Sequence, residues 1–171
     1  QIAARKDSLG VCFCPGDYRS FLKKRLGESV FSEGFYEDES GKIIGKHKGY
    51  PFYTVGQRRG LGLNLQHPVF VKEISVQDNR VVIAPLSGMY KIRMILKSVN
   101  VIYSSDFDGR CAITCRIRYR KQNTPCRVFF ISDNQAEVRF DELVHSVAPG
   151  QAAAFYCGDR LLGGGIIVSA E

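Results

Sequence analysis

The chain has 171 residues, 44% of them hydrophobic and 24% charged. That is the composition of one ordinary or two small folded domains, not of a disordered or fibrous chain. Lysine and arginine outnumber aspartate and glutamate by 24 to 17, a net charge of +7, which favours a polyanion as partner, nucleic acid above all.

No run approaches the ~18 apolar residues of a membrane span. The first residues, Gln1-Ile2-Ala3-Ala4-Arg5-Lys6-Asp7, carry neither a signal-peptide pattern nor an initiating Met, so a start inside a longer protein is expected. With nothing marking secretion, the six cysteines read as free thiols in a reducing cytoplasm.

In chain order, a short apolar run over residues 7–15 ends at Pro15-Gly16. A helix follows, with Asp17 as N-cap, Tyr18, Phe21, Leu22 and Leu26 at helical spacing, and Gly27 as its stop. Residues 34–37 and 42–47 flank Glu39-Ser40-Gly41 as a hairpin, and residues 69–76 and 80–84 flank Asp78-Asn79 as a second one. Between them, Tyr53-Thr54-Val55-Gly56-Gln57-Arg58-Arg59-Gly60-Leu61-Gly62 reads as a mobile basic loop. Residues 85–88 read as a linker. Six strand-like runs follow, at about residues 94–103, 112–119, 126–132, 136–141, 152–157 and 161–168, separated by turn residues. The expected fold is mainly β with a small α+β part, its second half a small six-stranded barrel.

Few residues point to chemistry. Cys111 and Cys115, four apart on an expected strand, share a face and read as core; Cys126 and Cys157 sit at strand ends. No C-x-x-C occurs and His47, His67 and His145 are scattered, so no metal site is expected. Cys12 lies before a helix start with Arg5 and Lys6 upstream, a setting that lowers a thiol pKa; equally it is a small hydrophobe within Val11-Cys12-Phe13. Gly60-Leu61-Gly62 and Gly163-Gly164-Gly165 lack the context of a nucleotide-binding loop, and the second suits close backbone packing or a bulge. If Ile117 faces the core, Arg116, Arg118 and Arg120 share the outer face of a strand. With Tyr119 they form either a phosphate-and-base contact or a solvated basic wall.

The order of these motifs resembles the tRNA-specific 2-thiouridylases of bacteria. Asp7-Ser8-Leu9-Gly10-Val11-Cys12-Phe13, followed by Pro15-Gly16-Asp17-Tyr18, is similar to the segment around that family's second catalytic cysteine. The segment from Tyr53 to Gly62 is similar to its central-domain signature. Arg118-Tyr119-Arg120 with Pro125-Cys126, then Pro149-Gly150-Gln151, then Leu162-Gly163-Gly164-Gly165-Ile166-Ile167, match its C-terminal barrel. The sequence departs from the pattern at Cys14, where the family has an apolar residue.

The resemblance implies an enzyme that adenylates the C2 oxygen of the wobble uridine with ATP and replaces it with sulfur from a cysteine persulfide. Cys12 is the implied persulfide carrier, and Arg118, Tyr119 and Gln151 are the implied tRNA contacts, with Arg58, Arg59 and Arg120 behind them. Residues 1–86 would be the central domain carrying the cysteine segment, and 87–171 a barrel similar to elongation-factor domain 2. ATP, with Mg, would be bound by a further N-terminal domain, so this fragment alone is expected to be inactive. The implied partners are tRNA and a sulfur-relay donor protein, with no membrane, for a cytoplasmic monomer. The alternative is a non-catalytic RNA-binding barrel module similar to translation factors; a methyltransferase fragment is disfavoured by the lack of a cofactor loop.

Overall fold

The computed structural model describes residues 18–27, 31–118 and 123–171. Cys12, Cys14, Asp17, Tyr119 and Arg120 lie outside them.

Helix α1 (Tyr18–Leu26) carries Lys23, Lys24 and Arg25 in its last turn, against the negative end of the helix dipole. Gly27 stops it in a left-handed conformation, φ 79°, its N–H donating to the Lys23 carbonyl at 3.0 Å.

The four strands that follow are β1 (Gly34–Glu37), β2 (Ile43–His47), β3 (Phe70–Ser75) and β4 (Arg80–Ala84). They form one sheet in the order β2-β1-β4-β3. Both expected hairpins are present. The first turns on Asp38, whose Oδ1 accepts from the Ser40 and Lys42 N–H groups at 2.9 and 3.0 Å. The hairpins are joined by a parallel pairing of β1 with β4, which local patterning does not announce. Tyr36, Leu61, Val71, Val81 and Ile83 form the core on this sheet.

The second half is a closed barrel of β5 (Tyr90–Val101), β6 (Ile113–Arg116), β7 (Thr124–Ser132), β8 (Gln135–His145), β9 (Ala152–Cys157) and β10 (Arg160–Ala170), in the order β10-β5-β8-β7-β6-β9. Period-two alternation builds it: along β8, Ala136, Val138 and Phe140 point inward and are buried, while Arg139 and Asp141 are exposed. Inside it Met94, Leu96, Phe155, Leu162 and Ile167 are essentially inaccessible. The glycine run is in β10, at a register shift between Leu161 and Gly163. The mainly β class and the six-stranded barrel stand as the sequence indicated.

Two expectations change. The thiols are not all free: Cys111 and Cys157 form a disulfide, with Cα atoms 6.1 Å apart, within bridging range. Nor is Cys111 on a strand with Cys115. It precedes β6, where the chain arrives beside β9, Ile113 standing opposite Cys157. Cys115 and Cys126 are free and buried, and contact with Cys126, together with burial, pushes the Cys115 thiol up.

The second change concerns the segment from Tyr53 to Gly62, which is pinned. Gly56 N–H donates to the Val71 carbonyl at 2.7 Å, and Val71 N–H to the Gln57 carbonyl at 2.9 Å. Leu61 is buried, and its carbonyl accepts from the Tyr36 hydroxyl at 2.9 Å. The glycines here shape a fixed turn.

Candidate nucleic-acid interface

The pinned segment rests on an aromatic hub. Tyr36, His47 and Tyr53 meet edge-on, with ring centroids 5.3–5.5 Å apart. Buried His47 accepts from the Gly49 N–H at Nδ1, 3.1 Å, and its Nε2 lies 3.1 Å from the Asn79 carbonyl. A carbonyl can only accept, so these partners fix a neutral ring protonated at Nε2, and burial holds its pKa below the usual histidine range. Burial, reinforced by Tyr53, likewise raises the Tyr36 phenol. These groups are satisfied and structural. Gln57 stitches the turn above them, accepting from Thr54 N–H at 3.1 Å and donating to the Arg59 carbonyl at 2.9 Å. Arg58 and Arg59 remain exposed at its tip.

The sheet meets the barrel at Gly56. A Cβ there would collide with the Arg118 guanidinium and stand 2.6 Å from Ser146 Cβ, so the missing side chain sets the closeness of the approach. Arg118, just past β6, is half-buried in this seam. Burial lowers its pKa, and among the described residues no carboxylate lies within 4.0 Å to compensate its charge.

Gln151 lies on the turn before β9, exposed, with its backbone held by Ala148 and Ile167. Since Arg116 pairs with Ala154 across β6 and β9, Arg118 and Gln151 emerge on the same rim of the barrel. Ile117 is buried, as the outward reading of its neighbours requires. Arg116 is engaged within the barrel, its Nε donating to Asn123 Oδ1 at 2.8 Å and its guanidinium over the Tyr156 ring.

Below the rim a cleft of about 560 Å³ opens between sheet and barrel, its walls including Tyr53, Val55, Lys72, Lys91, Pro149 and Val168. The Gly56–Arg118 contact and the cleft were not visible in the sequence; the small residue in Thr54-Val55-Gly56 was the only local signal. The described residues do not fit ATP. The glycines at 60 and 62 occupy a turn stitched to a sheet core, and those at 163–165 lie within a barrel strand; no strand–glycine loop–helix element is present among them to cradle a triphosphate.

Two family models match this chain in succession. One, described as a tRNA methyl transferase PRC-barrel domain, matches residues 19–85. The other, described as an aminomethyltransferase beta-barrel domain, matches residues 91–167. Among curated relatives, a tRNA-specific 2-thiouridylase of Phocaeicola vulgatus is 49% identical over 166 residues, covering 97% of this chain and 47% of the relative. The chain belongs to the tRNA 2-thiouridylase family. A second member, from Bacteroides fragilis, is 45% identical and covers 100% of this chain and 50% of its own length. A third, from Chlorobium chlorochromatii, is 39% identical over 96% of the chain. The chain thus spans about half the length of the 2-thiouridylases it matches.

Proposed function

We propose that this chain is the tRNA-gripping and sulfur-carrying part of an enzyme that 2-thiolates the wobble uridine of tRNA. The observation that carries the reading is Arg118. A half-buried guanidinium without a carboxylate is poorly compensated by the protein, and a phosphate group is the partner its planar fork suits best. Gln151 on the same rim adds a neutral polar contact, and Tyr119, next in sequence, a stacking group. Arg58, Arg59 and Arg120 supply further charge.

Residues 1–86 form the central domain in this reading and 87–171 the barrel. Cys12 carries the sulfur as a persulfide received from a relay donor protein; its outer sulfur attacks C2 of the activated uridine as AMP leaves, and a second thiol, outside these residues, attacks Cys12 Sγ, breaking the S–S bond to release the 2-thiouridine and leaving a disulfide. ATP, held with Mg by chain outside these residues, supplies activation of the C2 oxygen. The protein works as a cytoplasmic monomer; no helix among the described residues is long and apolar enough to cross a membrane.

The test uses the intact protein. Cys12→Ser should abolish thiolation while leaving tRNA affinity unchanged, because the lost atom acts only in sulfur transfer. Cys14→Ser should retain substantial activity, and mass spectrometry after loading with a sulfur donor should find the persulfide on Cys12. Arg118→Ala should weaken tRNA binding by about 1.5–3 kcal/mol, and Gln151→Ala by less. An active Cys12→Ser protein, or a persulfide only on Cys14, sinks the sulfur assignment. Unchanged tRNA affinity in both rim variants sinks the rim.

A further inference from the structure

The disulfide of the barrel sits at one end of a strand pair whose other end is the rim. β9 finishes at Cys157, and Cys111 stands just before β6. The two strands run antiparallel through the pairs Ile113–Cys157, Thr114–Tyr156, Cys115–Phe155 and Arg116–Ala154. Arg118 leaves the far end of β6, and Gln151 precedes β9 at that same far end. At the rise of a strand, Arg118 stands on the order of 20 Å from Cys111, so a reagent at the bridge does not touch the rim.

Apart from this bridge, β6 is weakly held. It has four residues, and its other neighbour, β7, meets it only through Thr114–Pro125 and Cys115–Thr124. Proline offers no N–H to that ladder. Upstream, the polar contacts of residues 108–112 are local among the described residues, Arg110 with Asp108. The disulfide is therefore the tie that fixes where β6 begins. It is also reachable. Cys111 and Cys157 are both half-buried, and Cys111, but not Cys157, lines a cavity of about 310 Å³ with Phe107, Gly109, Cys126 and Arg127. Contact with Cys126, together with burial, pushes the Cys115 thiol up, which keeps it protonated and out of exchange.

We propose that Cys111–Cys157 is a thiol–disulfide exchange site, opened by a dithiol, whose redox state sets the tRNA grip of the Arg118–Gln151 rim. The proposal rests on the reading that the intact protein is a cytoplasmic, tRNA-binding enzyme; a disulfide in a reducing compartment is typically transient and redox-sensing, not a permanent staple. A thiolate of the dithiol attacks Cys111 Sγ, forming a mixed disulfide and expelling the Cys157 thiolate, which takes a proton from water. The reagent's second thiolate then attacks the reagent's own sulfur in the mixed disulfide. Cys111 leaves as a thiolate and is protonated, and the reagent becomes a cyclic disulfide. Two electrons pass from the dithiol to the protein, and the disulfide form of the same couple closes the bridge by the reverse steps. With the bridge open, β6 keeps only its cross-strand pairs, and Arg118 is held less firmly beside Gly56 and Gln151.

The test uses the intact protein carrying Cys12→Ser, so that no sulfur chemistry at that position enters. Dithiothreitol in native buffer should expose two thiols to alkylation, mapped by mass spectrometry to Cys111 and Cys157, and glutathione should leave its adduct on Cys111. Circular dichroism should show the reduced barrel still folded. tRNA affinity should fall about fivefold or more, the lower end of typical coupling between sites, and reoxidation should restore it. Coupling is reciprocal, so saturating tRNA should make the bridge harder to reduce by the same factor, about 21 mV for a two-electron couple. Cys111→Ser with Cys157→Ser should show the reduced protein's affinity with or without dithiothreitol.

A bridge that yields only after urea unfolds the barrel, or a reduced barrel that is itself unfolded, overturns the exchange site. A bridge that opens in a folded barrel with tRNA affinity unchanged overturns the coupling to the rim. A protein that binds no tRNA in either redox state overturns the functional reading, while the alkylation map still judges the exchange site by itself.

Discussion

The barrel wall and the basic turn of the sheet are both rich in cations, and they show opposite ways of holding positive charge. Across the barrel, Arg93 pairs in register with Arg139, and Arg139 with Arg127, three arginines in one row on β5, β8 and β7. Like charges directly opposite destabilise a sheet. The row is offset by Glu137 between Arg93 and Arg139, Glu171 on Arg93 and Asp141 on Arg127, and Arg139 also covers the Phe129 ring. The turn at Gly60 has no such offset. A net charge of +7 says that an anion will be attracted; the cations without a carboxylate among the described residues, at this turn and at Arg118 on the barrel rim, are the ones the protein leaves uncompensated.

The same two regions are stabilised differently, and the largest expected effect separates them. The Cys111–Cys157 bridge closes a loop with a sequence separation of 46 within the barrel. Cys111→Ser or Cys157→Ser should lower barrel stability by about 2–4 kcal/mol, read as a lower urea midpoint by circular dichroism, with amide exchange in β1 and β4 little changed. Equal losses of protection in sheet and barrel would mean that the two unfold as one unit.

A smaller effect is expected at the seam. Gly56 has φ +84°, so Gly56→Ala should cost about 1–3 kcal/mol from backbone strain, and the collision with Arg118 and Ser146 adds to that. Exchange should rise on both sides of the seam, and tRNA affinity should fall because the rim moves. A variant as stable as the wild type would show that the close approach is not needed.

The mildest test is pH. His47 has its folded pKa depressed by burial, so the unfolded chain takes up a proton first as pH falls through about 6.5. Stability from the neutral ring is therefore complete above that value and declines as pH drops towards the folded pKa. The decline should show in the exchange of β1 and β4 amides before that of β5 and β8, and His47→Gln should flatten it. A slope that survives in His47→Gln belongs to another group.

The sequence was most legible where structure is local. Glu39-Ser40-Gly41 marks one hairpin, Asp78-Asn79 the other, and the run over residues 136–141 marks a barrel strand. It was least legible where distant strands meet. The β1–β4 pairing, the disulfide and the Gly56–Arg118 contact each depend on segments roughly 45 to 60 residues apart finding one another, and no local pattern encodes that. Reading a run of glycines and arginines as mobile failed for the same reason, because Tyr36 and Val71, which pin it, belong to other strands. Arg118 and Gln151 were singled out by resemblance, and β6–β9 pairing puts them on one rim.

Closing the barrel has one more consequence, for self-association. Its six strands form a ring with no end, so the outer sheet edges among the described strands are those of β2 and β3, and the β3 edge is already covered at Val71 by Gly56 and Gln57. Each carries a lysine, Lys46 on one and Lys72 on the other. Adding a foreign strand to either edge would bring that charge against incoming chain, a common natural defence against edge-to-edge aggregation. Lys72 is partly neutralised by Glu39 at 2.5 Å and Lys46 hardly at all, so the two borders are guarded differently, β2 by an exposed charge and β3 by the turn hydrogen-bonded to Val71.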